Sequence, residues 1–169
     1  VILGRGSFTE SFPLFGFDLR DYESLFEEKL DLFVKLIREE KITWSGSHRP
    51  ALKGQRVFPS PERPLRAWIG VGGSPESVIR AVHHDLPMML AIIGGDPMRF
   101  VPFFDLYRQA AEKAGRSPEE GKLSLNLHGF VAETTEQAKD IYFGPQTEVM
   151  NRIGRERGWP PTTRAQFEL

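Results

Sequence analysis

Four times in 169 residues a short apolar run hands over to a segment with helical spacing: "VILG", "RAWIGV", "LPMMLAII" and "KLSLNLHGFVAE" each precede an amphipathic stretch. Strands that alternate with helices in this way are parallel, because each helix carries the chain back to the same end of the sheet, and the crossovers are right-handed. The expected class is α/β. Four βα units are half of an eight-unit barrel, so residues 1–169 read as a single domain forming part of a (β/α)8 TIM barrel. Half a barrel leaves two sheet edges, expected at residues 1–4 and 123–131. The chain opens inside an apolar strand and without methionine, which reads as part of a larger fold.

The first helix is the plainest. In "RDYESLFEEKLDLFVKLIREEK", Tyr22, Leu25, Phe26, Leu30, Phe33, Leu36 and Ile37 recur at three- and four-residue steps, while Glu27, Glu28, Lys29, Lys35 and Arg38 fill the other face. Ser74 followed by Pro75 marks the start of the second helix, "SPESVIRAVHH". Gly115 closes the third, whose first turn is blurred by Pro102, and Thr134 with Gln137 opens the fourth, "EQAKDIYF". Past Gly144 the chain turns polar until Trp159-Pro160-Pro161. Residues 41–65 carry β-prone pieces around Thr43 and Val57 broken by Gly, Ser and Pro, the pattern of an inserted hairpin, with Trp44 as its packing anchor.

Composition narrows the chemistry. A net charge of −1 with interspersed signs provides no basic stripe, which argues against nucleic acid as a partner. No apolar run approaches the roughly 18 to 20 residues of a membrane span, so no membrane association is expected. The absence of cysteine excludes disulfides, thiolate metal sites and cysteine nucleophiles, and it suits a cytoplasmic location. Among the histidines, His83 and His84 are adjacent and splay to different helix faces, and His48 lies in the insertion. No metal-ligand spacing appears, and no metal is expected. Redox chemistry would need a borrowed cofactor.

In a parallel α/β fold the loops leaving the strands at their C-terminal ends form the functional face, and two glycine-bearing turns fall there. Arg5, between Gly4 and Gly6, is placed either to fork onto an anionic group or to sit solvated at the surface. In "GVGGSPES", Gly72 and Gly73 let backbone approach a ligand and Ser74 adds a hydroxyl beside the positive end of a helix. The same residues serve equally as a plain turn with Ser74 as its cap. His128, late in the fourth strand, is a weak candidate for acid–base contact with a ligand, or a hydrogen-bonded core histidine. Phe8, Phe12, Phe15 and Phe17 make an apolar loop over the same face, suited to a water-excluding lid or to ordinary packing.

Taken in order, "GRGSFTESFPLFGFD", "RAWIGVGGSPESVIRA", "LPMMLAIIGGDPMRF", "LYRQAAEKAG" and "LSLNLHGFVAETTEQAKDIY" resemble the bacterial luciferase-like, flavin-dependent monooxygenases. The resemblance covers nearly the whole chain. It implies the fourth to seventh βα units of a (β/α)8 barrel that uses reduced FMN and dioxygen on a small organic substrate, with a separate flavin reductase supplying the reduced cofactor. It also implies that Arg5 and Ser74 contact the flavin phosphate and that Gly73 contributes its backbone amide, so that Arg5, Gly6, Gly72, Gly73 and Ser74 form the cofactor-binding set. The Trp44 hairpin fits the same family, and a homo-oligomer is the expected assembly. One position departs from it: luciferase-type members carry a second phosphate-binding arginine where this chain has Glu23, with Arg20 about one turn earlier as the substitute at hand. Two other readings stand beside this one, a deazaflavin-dependent hydride-transfer enzyme of the same superfamily and a non-catalytic or truncated flavin-binding protein.

Overall fold

A computed structural model of the chain describes residues 1–6, 9–117 and 122–168. In chain order the elements are β1 (Ile2–Leu3), α1 (Ser11–Leu14), α2 (Tyr22–Arg38), β2 (Ile42–Trp44), β3 (Leu52–Gln55), β4 (Trp68–Val71) and α3 (Pro75–His83), then β5 (Met88–Ile92), α4 (Val101–Lys113), β6 (Leu123–Leu127), α5 (Thr135–Arg157) and α6 (Arg164–Phe167). Contacts divide them into two compact units, residues 1–91 with 100–125 and residues 92–99 with 126–168.

The sheet runs β1-β4-β5-β6, with the β1/β4 and β4/β5 pairs parallel. Each new strand is added beyond the last, as in a barrel wall, and β1 and β6 are its edges, as the alternation predicts. The chain is an α/β fold whose parallel sheet and flanking helices correspond to part of a (β/α)8 barrel. Alternation along the strands sorts their side chains: Ile69 and Val71 of β4 and Met88 and Leu90 of β5 are fully buried, with Val78, Ala81 and Val82 of α3 buried as well. Trp68, Gly70, Met89 and Ala91 point to the other face and stay half-exposed. Tyr107 of α4 is buried and its hydroxyl donates to the Leu86 carbonyl at 3.1 Å, fixing α4 to the chain just before β5.

The helix α2 buries more than the single stripe its periodicity predicts. Leu25 and Leu30 of that stripe are buried, as is Val34 one turn beyond Leu30, but so is Leu32 on another side. The reason is the hairpin: antiparallel β2 and β3 cover a second side of the helix, and Leu32 packs with Ile42 and Trp44. The Trp44 indole donates to Asp31 Oδ2 at 2.8 Å, which makes it the expected anchor. The Glu28 carboxylate receives the backbone N–H groups of Ser47 and His48, tying down the hairpin loop. A Cβ at Gly46 would lie 2.3 Å from both the Glu28 carboxyl carbon and the Trp44 ring, so this close approach admits only glycine. Val57 lies beyond β3, outside the strand expected around it.

In the second unit α5 runs well past the predicted end near Phe143, through Gly144 and Pro145. Proline removes one intrahelical donor, the one that would face the Ile141 carbonyl, and two residues on the buried Thr147 hydroxyl donates to the Phe143 carbonyl at 2.6 Å. Its N-cap is the expected one, Thr134 Oγ1 accepting from the Gln137 N–H. The helix stops at Gly158, and α6 begins with a capping box between Thr163 and Gln166.

Candidate functional site

Because β1 and β4 are parallel neighbours, the turns that leave them emerge at the same end of the sheet. Gly4-Arg5-Gly6 follows β1, and Gly72-Gly73-Ser74 joins β4 to α3. Gly6 and Gly73 have positive φ, 73° and 118°, and a Cβ built at Gly6, Gly72 or Gly73 meets nothing within 4 Å. The backbone there is open in front, as a close-approaching ligand requires. Ser74 is the N-cap of α3, its Oγ accepting from the Ser77 N–H at 3.3 Å, with Pro75 in the first turn. Both readings of this motif therefore share one residue.

Arg5 is neither a solvated arginine nor a free fork. Its side chain is 20% exposed, its guanidinium pairs with one carboxylate oxygen of Glu23, and it lies 5.0 Å over the Tyr22 ring. The Tyr22 hydroxyl donates to the Gly6 carbonyl at 2.8 Å, which fixes the turn. The other Glu23 oxygen accepts from Arg80 Nη2 at 3.0 Å. Arg80 also bonds Glu27 at 2.5 Å and Ser77 Oγ at 3.3 Å and lies over Phe26, and the second oxygen of Glu27 lies 2.9 Å from His84 Nε2. Sequence reasoning missed Arg80 and Ser77. The available signal was complementary spacing: Ser74, Ser77, Arg80 and His84 share one face of α3, and Glu23 and Glu27 are one turn apart on α2.

The charges shift one another in identifiable ways. Burial pushes the Glu27 carboxyl up, but hydrogen bonds from His84 and Arg80 outweigh it and hold the group below its ordinary 4.5. Glu76 is held low by its own backbone N–H, then by Ser74, with further help from the fields of Arg5 and Arg80. A carboxyl whose pKa is lower folded than unfolded contributes stability above about pH 4.5 and loses it as the pH falls through the folded value. The melting temperature should therefore drop as the pH falls below about 4.5, and Glu27→Gln should flatten that acid limb in a series of melts. An unchanged limb would remove Glu27 from the account.

Arg20 does not substitute for the missing arginine. It forks onto Asp18, at 3.0 and 2.6 Å, with its side chain 89% exposed. His128 lies one residue past β6, exposed, rather than within a strand or in the core. Of the aromatic loop, Phe8 lies outside the described residues; Phe12 is half-buried and packs 5.6 Å from the Tyr22 ring, and Phe15 and Phe17 are exposed. Together with Phe26 they wall a cavity of about 330 Å³ that Arg5 and Lys29 also line. A larger cavity of about 650 Å³ lies at the opposite ends of the strands, among Ala67, Trp68, Leu86, Pro87 and Lys122. In this architecture that end serves stability, so the smaller cavity beside Arg5 is the relevant one. No cluster of His, Cys, Asp or Glu among the described residues could hold a metal, and no helix among them is long and apolar enough to cross a membrane.

The sequence profile of the luciferase-like monooxygenases matches residues 1–168. The chain belongs to this family. Solved structures share its fold: monooxygenase RslO1 from Streptomyces bottropensis (23% identity, TM-score 0.72, 88% of this chain and 45% of that one) and the oxygenating constituent of 3,6-diketocamphane monooxygenase from Pseudomonas putida, a type II Baeyer–Villiger enzyme in complex with FMN (18%, 0.69, 93% and 48%). An F420-dependent secondary alcohol dehydrogenase is similar as well (15%, 0.65, 84% and 43%). The chain spans less than half the length of each. No curated protein matches it significantly. Glu23, at the position where the resemblance implies an arginine, pairs with Arg5 and with Arg80, the second guanidinium of the cluster.

Proposed function

We propose that the ends of β1 and β4 anchor the phosphate of FMN in a luciferase-like, FMN-dependent monooxygenase. The observation that carries this reading is the convergence of the half-buried Arg5 guanidinium with the open Gly72-Gly73 backbone and the Ser74 hydroxyl. That donor set fits a phosphate monoester: a fork for two oxygens, a hydroxyl, and the N-terminal end of a nine-residue helix. Arg5, Gly6, Gly72, Gly73 and Ser74 would hold the phosphate.

Reduced FMN, when bound, supplies the electrons with which dioxygen oxidises a small organic substrate. The chain's own contribution is placement. Arg5 and Ser74 fix the phosphate end, and Phe12, Phe15 and Phe17 offer an apolar wall that keeps water away. His128 stays a candidate contact, with no proton transfer assigned to it. A separate reductase, dioxygen, a small organic substrate and a homo-oligomeric assembly belong to the same proposal. The similarity to an F420-dependent dehydrogenase keeps a deazaflavin reading as the second choice. Oxygen reactivity of the reduced complex separates the two.

The test compares FMN with riboflavin, which lacks the phosphate. FMN should bind at least about tenfold more tightly, since a charge-assisted hydrogen bond contributes about 1.5–3 kcal/mol. Ser74→Asp separates the two readings of the cap. Aspartate caps a helix as well as serine does, so stability should hold, but its carboxylate would repel a phosphate and FMN affinity should fall about tenfold or more. Unchanged FMN affinity would leave Ser74 as a cap alone.

A further inference from the structure

We propose that Glu23 is a resident stand-in for the ligand's phosphate and that Arg80 is the second cation of the anion site. The inference rests on the phosphate-anchor reading and goes beyond it. Glu23 bridges the two guanidiniums, one carboxylate oxygen on Arg5 and the other on Arg80, as a phosphate would. The three side chains differ in what holds them. Glu23 is 60% exposed in the first turn of α2, so rotation about its side chain carries the carboxylate into solvent. Arg80 is 9% exposed and keeps three other contacts when Glu23 leaves: Glu27, Ser77 Oγ and the Phe26 ring. Arg5 keeps the Tyr22 ring. Both cations keep contacts that do not involve Glu23, and the Glu23 side chain faces solvent.

Ser77 extends the same set. Its hydroxyl lies 3.2 Å from Ser74 Oγ and 3.3 Å from Arg80 Nη1, joining the helix cap to the second guanidinium. With Glu23 withdrawn, Arg5 and Arg80 present donors to the vacated carboxylate position, Ser77 lies against Arg80, and Ser74, whose hydroxyl donates to Glu76 at 3.0 Å, lies against Ser77. Arg80 keeps Glu27 as an anion, but the largely buried Arg5 has Glu23 as its ion-pair partner, which gives a glutamate at this place a role in the free protein. The consequence is competition: an incoming phosphate must displace a carboxylate, so Glu23 stabilises the free protein and weakens the complex.

The experiment measures FMN and riboflavin binding, with thermal melts, for the full chain and for Glu23→Gln, Arg80→Met and Arg5→Ala. Glu23→Gln should lower the melting temperature of the free chain and tighten FMN binding about tenfold, leaving riboflavin unchanged, and Arg80→Met should weaken FMN about tenfold without affecting riboflavin. These opposite signs for Glu23 are what a purely structural ion pair would not produce. Should Glu23→Gln destabilise the chain too far to assay, Arg80→Met and its rescue by Arg80→Lys decide the matter. If Arg5→Ala weakens FMN while Glu23→Gln or Arg80→Met leaves it unaltered, the inference is wrong and the phosphate anchor stands. If FMN and riboflavin bind alike, or neither binds any variant, the anchor itself fails and the inference with it.

Discussion

Arg5→Ala is expected to weaken FMN binding by about 10- to 100-fold while leaving riboflavin binding unchanged, the magnitude of one or two charge-assisted hydrogen bonds lost. The size of the effect follows from position. Arg5 leaves the sheet just after β1, which pairs in parallel with β4, so its turn and the Gly72-Gly73-Ser74 turn start from neighbouring strand ends. Arg20, just before α2, is held by Asp18 and does not stand in for Arg5. Lysine at this position should recover only part of the affinity, since a point charge cannot fork onto two oxygens. Titration of each variant with both flavins measures the effect. Equal losses for FMN and riboflavin would mean that Arg5 supports the fold and does not hold a phosphate.

The largest expected effect on stability is at Leu90. It is fully buried in β5, with its register neighbour Val71 and the helix residues Val78 and Ala81 also buried. Leu90→Ala should cost about 2–5 kcal/mol through lost burial and a residual cavity. For a chain of this size that corresponds to a fall of about 5–20 °C in melting temperature. Met89→Ala, on the half-exposed face of the same strand, should cost much less. Trp44 and Trp68 lie in the first unit and Trp159 in the second, so in a Trp159→Phe background tryptophan fluorescence in denaturant follows the unfolding of the first. Comparable losses at the two positions would contradict the assignment of the buried face.

The order of strands and helices was legible because alternation, caps and breakers are local. Ser74, Thr134 and the Trp44 hairpin all stand where their neighbours in sequence place them. The extension of α5 was not legible, because Gly144-Pro145 is a strong local stop signal, yet the helix runs through it to Arg157. The burial of Leu32 was hidden for a different reason: it packs under a hairpin that periodicity within the helix does not report. The site divides in the same way. Arg5, Gly73 and Ser74 announce themselves by short motifs, but Arg80 joins them through partners 53 and 57 residues away, Glu27 and Glu23. His128 was misplaced because the strand ends one residue before it.

The most direct measurement of the central claim is the ³¹P resonance of FMN titrated with the chain and with Arg5→Ala. The phosphate-anchor account predicts a shifted and broadened signal with the wild-type chain, restored to that of free FMN by Arg5→Ala. A flavin whose ring protons respond to the wild-type chain while its ³¹P signal stays at the free position would contradict it.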